Sequence, residues 1–331
     1  MTSPEQVVGI AHPTIPVSYP YIPREGRHIG LPLPPAYPST YPRPHSPMAP
    51  PTAILLFSCP DQKGLVAKIA NFIYANGGNI LHADQHRDPE AGLFLSRLEW
   101  EMAGFNLPRE IIGAAFGAIA QPLGATWQLH FSDDVPRLSI WVSHQDHCLL
   151  DLLWRHKAGE FKAEIALIIS NHPHLRPIAD QFGIAFEHLP ITKDTKTEQE
   201  QRQLELLKQH NIDLVVLAKY MQVLSSDFLH QYDRVINIHH SFLPAFMGAN
   251  PYQRAFQRGV KIIGATAHYV TSDLDEGPII EQDVVRISHR DEVKELIRKG
   301  KDVERMVLAR AVRLHLQNRT LVYGNRTVVF A

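Results

Sequence analysis

Cysteine is nearly absent: Cys59 and Cys148 are the only two in 331 residues, too few for a disulfide scaffold or a four-thiolate zinc site and in keeping with a reducing compartment. A surplus of one charge is absent as well. Thirty-three Lys+Arg offset 34 Asp+Glu to a formal −1, so no global field draws the chain to nucleic acid or an anionic membrane. No apolar run approaches the roughly 18 residues a bilayer span requires; the longest, around 165–169 and 214–218, are strand-sized. The first residues lack the basic-then-apolar block of a secretory signal and are too rich in proline for the amphipathic helix of a transit peptide, which makes the cytoplasm the expected location. His-Glu-x-x-His and Cys-x-x-Cys are missing, and Ser241 has no Gly-x-Ser-x-Gly elbow around it. These gaps argue against metal-dependent and serine hydrolases, and no metal site is expected.

Proline, by contrast, is abundant, and 14 of the 25 fall in residues 1–51. Because proline interrupts both helix and strand hydrogen bonding, this stretch is expected to be a disordered Pro-rich tail. From Ala53 the composition changes. Residues 53–57 read as an apolar strand leading into the turn Cys59-Pro-Asp-Gln-Lys-Gly64, after which Leu65, Ile69, Phe72 and Ile73 recur at helical spacing until Gly77 and Gly78 stop them. Residues 79–87 and 93–102 read as strands; in the second, Phe94, Leu98, Trp100 and Met102 share one face and Arg97, Glu99 and Glu101 the other. A helix opened by Pro108 and a strand at 125–131 complete the order βαββαβ, which predicts a ferredoxin-like domain over 52–133. Its edge strands need cover, and pairing between subunits would supply it, so a homo-oligomer is expected.

From 137 to 331 strands and helices alternate singly: strands at 138–143, 163–170, 186–189, 213–218 and 234–239, helices at 147–157, 175–182 and 198–210, and a short helix near Asp227. That order predicts an α/β domain, a Rossmann-like, mostly parallel sheet with helices on both faces. Ligands of such sheets gather at the carboxyl ends of the strands, which singles out Ser143, Asn171, Lys219 and the pair Asn237 and His239.

Asn237 and His239 stand two apart on a strand, so both side chains point to one side, with Ile236, Ile238 and His240 on the other. A carboxamide can donate to a developing oxyanion and an imidazole can move a proton, a combination suited to attack on an acyl carbon. Asp275 lies in the polar loop 271–278 between the strand at 262–270 and the one from Ile279, where a carboxylate can position water or steady His239. By spacing alone the pair reads more readily as a hydrogen-bonded strand corner than as a catalytic pair, and Asp275-Glu-Gly-Pro278 by itself only as a turn.

Three segments, Asn237-Ile-His-His-Ser-Phe-Leu-Pro244, Gly264-Ala-Thr-Ala-His-Tyr-Val270 and Asp275-Glu-Gly-Pro-Ile-Ile280, together with Leu217-Ala-Lys-Tyr-Met-Gln-Val-Leu-Ser225, resemble the folate-dependent formyltransferase family over about residues 137–331. The preceding unit, with its turn Pro60-Asp-Gln-Lys-Gly64, resembles an ACT domain. ACT followed by this catalytic domain is similar to the architecture of those relatives in which water, rather than an amine, receives the formyl group. The resemblance implies hydrolysis of 10-formyltetrahydrofolate to formate and tetrahydrofolate, a reaction that supplies formate to purine synthesis and balances one-carbon pools. No tightly bound cofactor is implied, because the folate is a substrate. Carried over by motif, Asn237 would hydrogen-bond the formyl oxygen, His239 would stabilise the oxyanion and protonate the departing nitrogen, and Asp275 would orient and deprotonate water. The main chain of Met221, Gln222, Val223 and Leu224, with Val270 and the loop from Thr271 to Asp275, would hold the pterin, while His268 would support the loop and the Asp275 carboxylate. Asp61, Gln62, Lys63 and Gly64 form the turn expected to take a small amino-acid effector. Gln222 and Asn250 stand where basic residues are expected, which weakens the expected grip on a polyglutamylated folate.

Two other readings compete. A glycinamide ribonucleotide formyltransferase needs a phosphate cradle of glycine, serine and helix N-terminus after the first strand; the corresponding segment, Ser143-His-Gln-Asp-His-Cys148, has no glycine and carries Asp146. A non-catalytic ACT and folate sensor would be expected to have lost one of Asn237, His239 and Asp275, and all three are present.

Overall fold

The computed structural model describes residues 50–245 and 251–330; the tail before Pro50 and the loop position Asn250 lie outside them. Four antiparallel strands, β1 (Thr52–Pro60), β2 (Ile80–Asp88), β3 (Leu93–Glu101) and β4 (Thr126–Phe131), form one sheet in the order β2-β3-β1-β4. Two helices, α1 (Leu65–Ala75) and α2 (Arg109–Ala120), lay Leu65, Ile69, Phe72, Ile112 and Phe116 on Leu55, Phe57, Leu98 and Trp100 of that sheet. The element order is the βαββαβ read from the residue pattern.

The opposite face of this sheet differs from its polar reading. A hairpin from the other end of the chain, β12 (Thr320–Tyr323) and β13 (Arg326–Val329), covers it, and Leu56 and Leu95 pack with Leu321 and Phe330. Arg97, only 4% exposed, donates from Nε to the Asn318 carbonyl at 2.9 Å and from a terminal nitrogen to Glu99 at 2.8 Å. A buried guanidinium is tolerable when its donors are satisfied, and here main chain 221 residues away does so.

The second sheet has seven strands, β5 (Arg137–Val142), β6 (Glu164–Ser170), β7 (Ala185–His188), β8 (Leu214–Leu217), β9 (Val235–His239), β10 (Ile262–Tyr269) and β11 (Ile279–Arg286), ordered β11-β10-β9-β8-β5-β6-β7. Strands β5 to β9 are parallel, whereas β10 runs antiparallel to both its neighbours. On one face α3 (His147–Lys157), α4 (Arg176–Phe182) and α8 (Val293–Leu316) bury Ile140, Val142, Val216 and Ile236. On the other, α5 (Lys196–Gln209) and α6 (Ser226–Gln231) bury Trp141, Ile169, Val215 and Leu217. A further helix, α7 (Pro251–Arg258), packs against α8. All four residues of β8 are buried, as a strand covered on both faces requires. The chain lays β6 and β7 on one side of β5, then returns to lay β8 and β9 on the other. This reversal opens a crevice at the carboxyl ends of β5 and β8. Among the described residues no helix is long and apolar enough to cross a membrane.

Candidate active site

Beyond β8 the chain turns at Lys219, whose φ of 64° is left-handed, and Met221 to Leu224 then cross the end of β5. Their placement is fixed by a buried relay: the Met221 amide donates to Ser143 Oγ at 2.9 Å, and Ser143 Oγ donates to Asn171 Oδ1 at 2.6 Å. Ser143 and Asn171 therefore brace the loop and do not line the cavity.

On β9, Asn237 and His239 project to one side, and the antiparallel β10 sets His268 directly opposite Asn237; such cross-strand partners share a face. A register shift at Ala267/His268 in the pairing with β11 is the kind of irregularity that re-aims a side chain beside a site. His268 Nδ1 lies 2.9 Å from the Tyr269 carbonyl. A carbonyl only accepts, so Nδ1 carries the hydrogen, and burial holds the ring below the ordinary histidine range. Nε2 is then bare and accepts from Asn237 Nδ2 at 3.2 Å. That bond fixes the carboxamide and leaves its second N–H for a ligand. His268 Nε2 is 3.9 Å from Asp275, so its nearer partner is Asn237 rather than the carboxylate.

Asp275 occupies a left-handed conformation, φ 59°, in the loop between β10 and β11, and its Oδ1 lies 3.1 Å from His239 Nδ1. The hydrogen bond from His239 holds the carboxyl below the usual carboxylate range, against the opposing push of burial. With Nδ1 committed to Asp275, His239 keeps Nε2 for chemistry, and that atom has no hydrogen-bond partner among the described residues. The loop follows this path because Gly277 has no side chain: a Cβ there would sit 1.8 Å from the Tyr269 carbonyl and 3.3 Å from His268 Nδ1. Gly277→Ala is expected to lower kcat at least about 10²-fold, the scale of a 1 Å misplacement, with far-UV circular dichroism unchanged.

These groups surround a cavity of about 300 Å³. Asn237, His239 and Asp275 line it, as do Met221, Gln222, Val223, Leu224, His268, Val270 and Thr271. The lining also takes in Leu217 and Tyr220 of the segment 217–225, Leu274 of the loop 271–275, and His240, which strand alternation would turn to the opposite side. His240 departs from the strand alternation because β9 ends at His239; its ring stacks on that of His239 with centroids 4.8 Å apart. Met221, Val223 and Leu274 are 59%, 54% and 63% exposed at the rim, an exposed apolar patch of the kind that marks a binding site. A wider groove of about 640 Å³ lies at the amino ends of β8 and β9, beside Asp213 and Arg234, away from the end where α/β sheets take ligands.

Lys219 also lines the cavity, but its ammonium, buried, reaches Glu304 of α8 at 3.4 Å. Glu304 also takes His147 Nε2 at 2.6 Å and the Tyr252 hydroxyl at 2.7 Å. His147, Cys148 and Glu304 bring potential ligand atoms within 4.8 Å of one another, yet Lys219 already gives the carboxylate its counter-charge. In the first domain, Asp61, Gln62, Lys63 and Gly64 form an exposed turn before α1. Gly64 takes φ 85° at the helix N-cap, and the Asp61 carboxylate pairs with Arg87.

Residues 137–312 match a family described as Formyl transferase, and residues 53–99 an ACT domain. A formyltetrahydrofolate deformylase of Synechocystis sp. is 68% identical over 85% of this chain and 99% of its own length. The crystal structure of a formyltetrahydrofolate deformylase from Pseudomonas syringae pv. tomato superposes with a TM-score of 0.84 at 44% identity, covering 86% of this chain and 96% of that one. A glycinamide ribonucleotide transformylase from Symbiobacterium toebii reaches a TM-score of 0.57 at 30% identity, with 98% of its length but only 62% of this chain. Likeness to the transformylase thus leaves more than a third of the chain unmatched, whereas likeness to the deformylases spans both domains, and it is to the formyltetrahydrofolate deformylase family that this chain belongs.

Proposed function

We propose that the cavity binds 10-formyltetrahydrofolate and hydrolyses it to formate and tetrahydrofolate, on the strength of one observation above all: His239 Nδ1 is 3.1 Å from Asp275, with Nε2 buried and unpartnered, beside a cavity that both His239 and Asn237 line. Asn237 donates its free N–H to the formyl oxygen. Asp275 orients a water and holds His239; its lowered pKa makes it a better anchor than proton acceptor. As the water oxygen bonds to the formyl carbon, one water proton passes to His239 Nε2. The tetrahedral oxyanion then collapses, the C–N10 bond breaks, N10 takes that proton from Nε2, and the formic acid released ionises to formate. A preorganised oxyanion donor contributes about 10²–10³ in rate and a positioned acid-base group about 10²–10⁴. The folate serves as substrate, not as a resident cofactor.

Water as acceptor is favoured by Asp146, whose exposed carboxylate stands at the N-cap of α3, where it repels a sugar phosphate. Formate release from 10-formyltetrahydrofolate with water as the only acceptor is the test, repeated with glycinamide ribonucleotide. Equal release in both supports hydrolysis; release only with the ribonucleotide would assign a transferase, and none in either a sensor.

The ACT unit supports a small-molecule effector, and we place a small amino acid at Asp61 to Gly64, its carboxylate over the amide end of α1. Edge strand β2, with Leu81, His82 and Ala83 exposed, supports pairing of subunits into a homo-oligomer. Assays with a panel of amino acids, glycine and methionine included, and sedimentation of the full chain check both; an unaltered rate and a monomer would count against them. The cytoplasm is the location that suits this chemistry.

A further inference from the structure

Tyr269 is the last residue of β10, and it is half-buried and outside the cavity lining. Its hydroxyl is held from two sides, by His315 Nδ1 of α8 at 2.8 Å and by Thr320 Oγ1 of β12 at 2.8 Å. Its carbonyl accepts from His268 Nδ1, its amide donates to the Pro278 carbonyl, and Gly277 leaves the room for the Tyr269 carbonyl that a Cβ there would take. Side-chain clamp and carbonyl thus belong to one residue, two hydrogen bonds from Asn237.

We infer that Tyr269 is a positioning residue for the hydrolysis: its hydroxyl clamp holds the carbonyl that selects the Nδ1–H tautomer of His268 and so turns the Asn237 carboxamide towards the formyl oxygen. This deepens the proposed function and rests on it. The clamp also ties Asn237 to the C-terminal hairpin, whose Tyr323 and Arg326 reach Asp88 of the ACT sheet at 3.0 and 3.1 Å.

The clamp has a pH signature. The titratable groups facing His268 are Asp275 from its loop and His239 from β9, and those behind Tyr269 are His315, with His130 and Arg234 near it. His315 is held by burial at about 4, so it stays neutral through the working range. When His268 takes a proton on Nε2, two donors face each other and Asn237 loses its alignment. Activity is therefore lost as pH falls through the His268 pKa, which burial keeps below the ordinary range.

Tyr269→Phe in the full chain is expected to lower kcat about tenfold with KM unchanged. As the ring of His268 loosens and gains water, the acid limb of the kcat profile moves up towards ordinary histidine values. Thr320→Val should do the same in smaller measure, and Thr320→Ser, which keeps the hydroxyl, should restore the native profile. In ¹⁵N-histidine NMR the signal lost in His268→Gln reports the Nδ1–H tautomer in the native chain and a mixture in Tyr269→Phe. A Tyr269→Phe protein with native kcat, acid limb and tautomer overturns the inference. If that variant does not fold, Thr320→Val against Thr320→Ser decides it: equal native profiles overturn the inference, and a difference restored by serine supports it. Failure of the native chain to release formate would instead strike the proposed function, leaving the tautomer to be read independently.

Discussion

Changing His239 to alanine is expected to cut kcat for formate release about 10⁴-fold, the upper range for a positioned acid-base group, and to leave KM within about threefold. The split follows from the geometry. The loop that starts at Met221 is anchored there by Ser143, so it keeps its place when an imidazole 3.1 Å from Asp275 is removed. Asp275→Asn should cost about 10³-fold, because the amide can present its NH₂ to Nδ1 and select the wrong tautomer. The double variant should lose clearly less than the product of the two single losses, since the carboxylate acts mainly through the ring it holds and otherwise only orients the water; residues that work as a unit are not additive. Single-turnover formate release measures all three. Losses that multiply would show that Asp275 acts on water by itself.

The second large effect falls on stability. Glu304 is 1% exposed and joins α3 through His147, α7 through Tyr252 and the turn after β8 through Lys219. Burial pushes its carboxyl up, but the hydrogen bond from His147, the Lys219 ammonium and the Tyr252 hydroxyl outweigh it and bring the value down to about 2. Glu304→Gln leaves Lys219 buried without its counter-charge, and breaking such a pair costs about 3–5 kcal/mol. A fall in Tm on the order of 10 °C is expected at pH 7, and adding Lys219→Met should recover part of it. Because the folded value lies below the unfolded one of about 4.3, the native advantage is complete above that pH and is lost as pH falls towards about 2. The difference, about 3 kcal/mol, should therefore shrink when the melts are repeated at pH 3. Indistinguishable melting of the variant and the native chain at pH 7 would remove the network from the account of stability.

Period-2 and period-3.6 patterns exposed both sheets because most apolar positions there face one core: Leu65, Ile69, Phe72 and Ile73 on α1 and the uninterrupted β8 are plain in the residues. Asn237, His239 and Asp275 were legible through motif and loop polarity, and the structure brings them to one cavity. What stayed hidden depends on contacts between distant segments. Helix α8 buries Gly300 and Glu304 among its apolar residues, a mixture no hydrophobic stripe reveals. Glu304 meets His147 across 157 positions, and Arg97 and Glu99 read as solvent-facing because nothing near them in sequence announces a covering hairpin. His240 was misassigned for a local reason: alternation holds only while the strand lasts.

That hairpin has a consequence during synthesis. The first sheet leaves the ribosome with Leu56 and Leu95 bare on one side, and the strands that shield them are made only after the whole second sheet, with Arg97 and Asn318 separated by 221 residues. At roughly 5–20 residues per second, the nascent sheet waits on the order of 10–40 s for its cover, so ribosome-bound chaperones and early termination bear on this protein's yield through those two leucines.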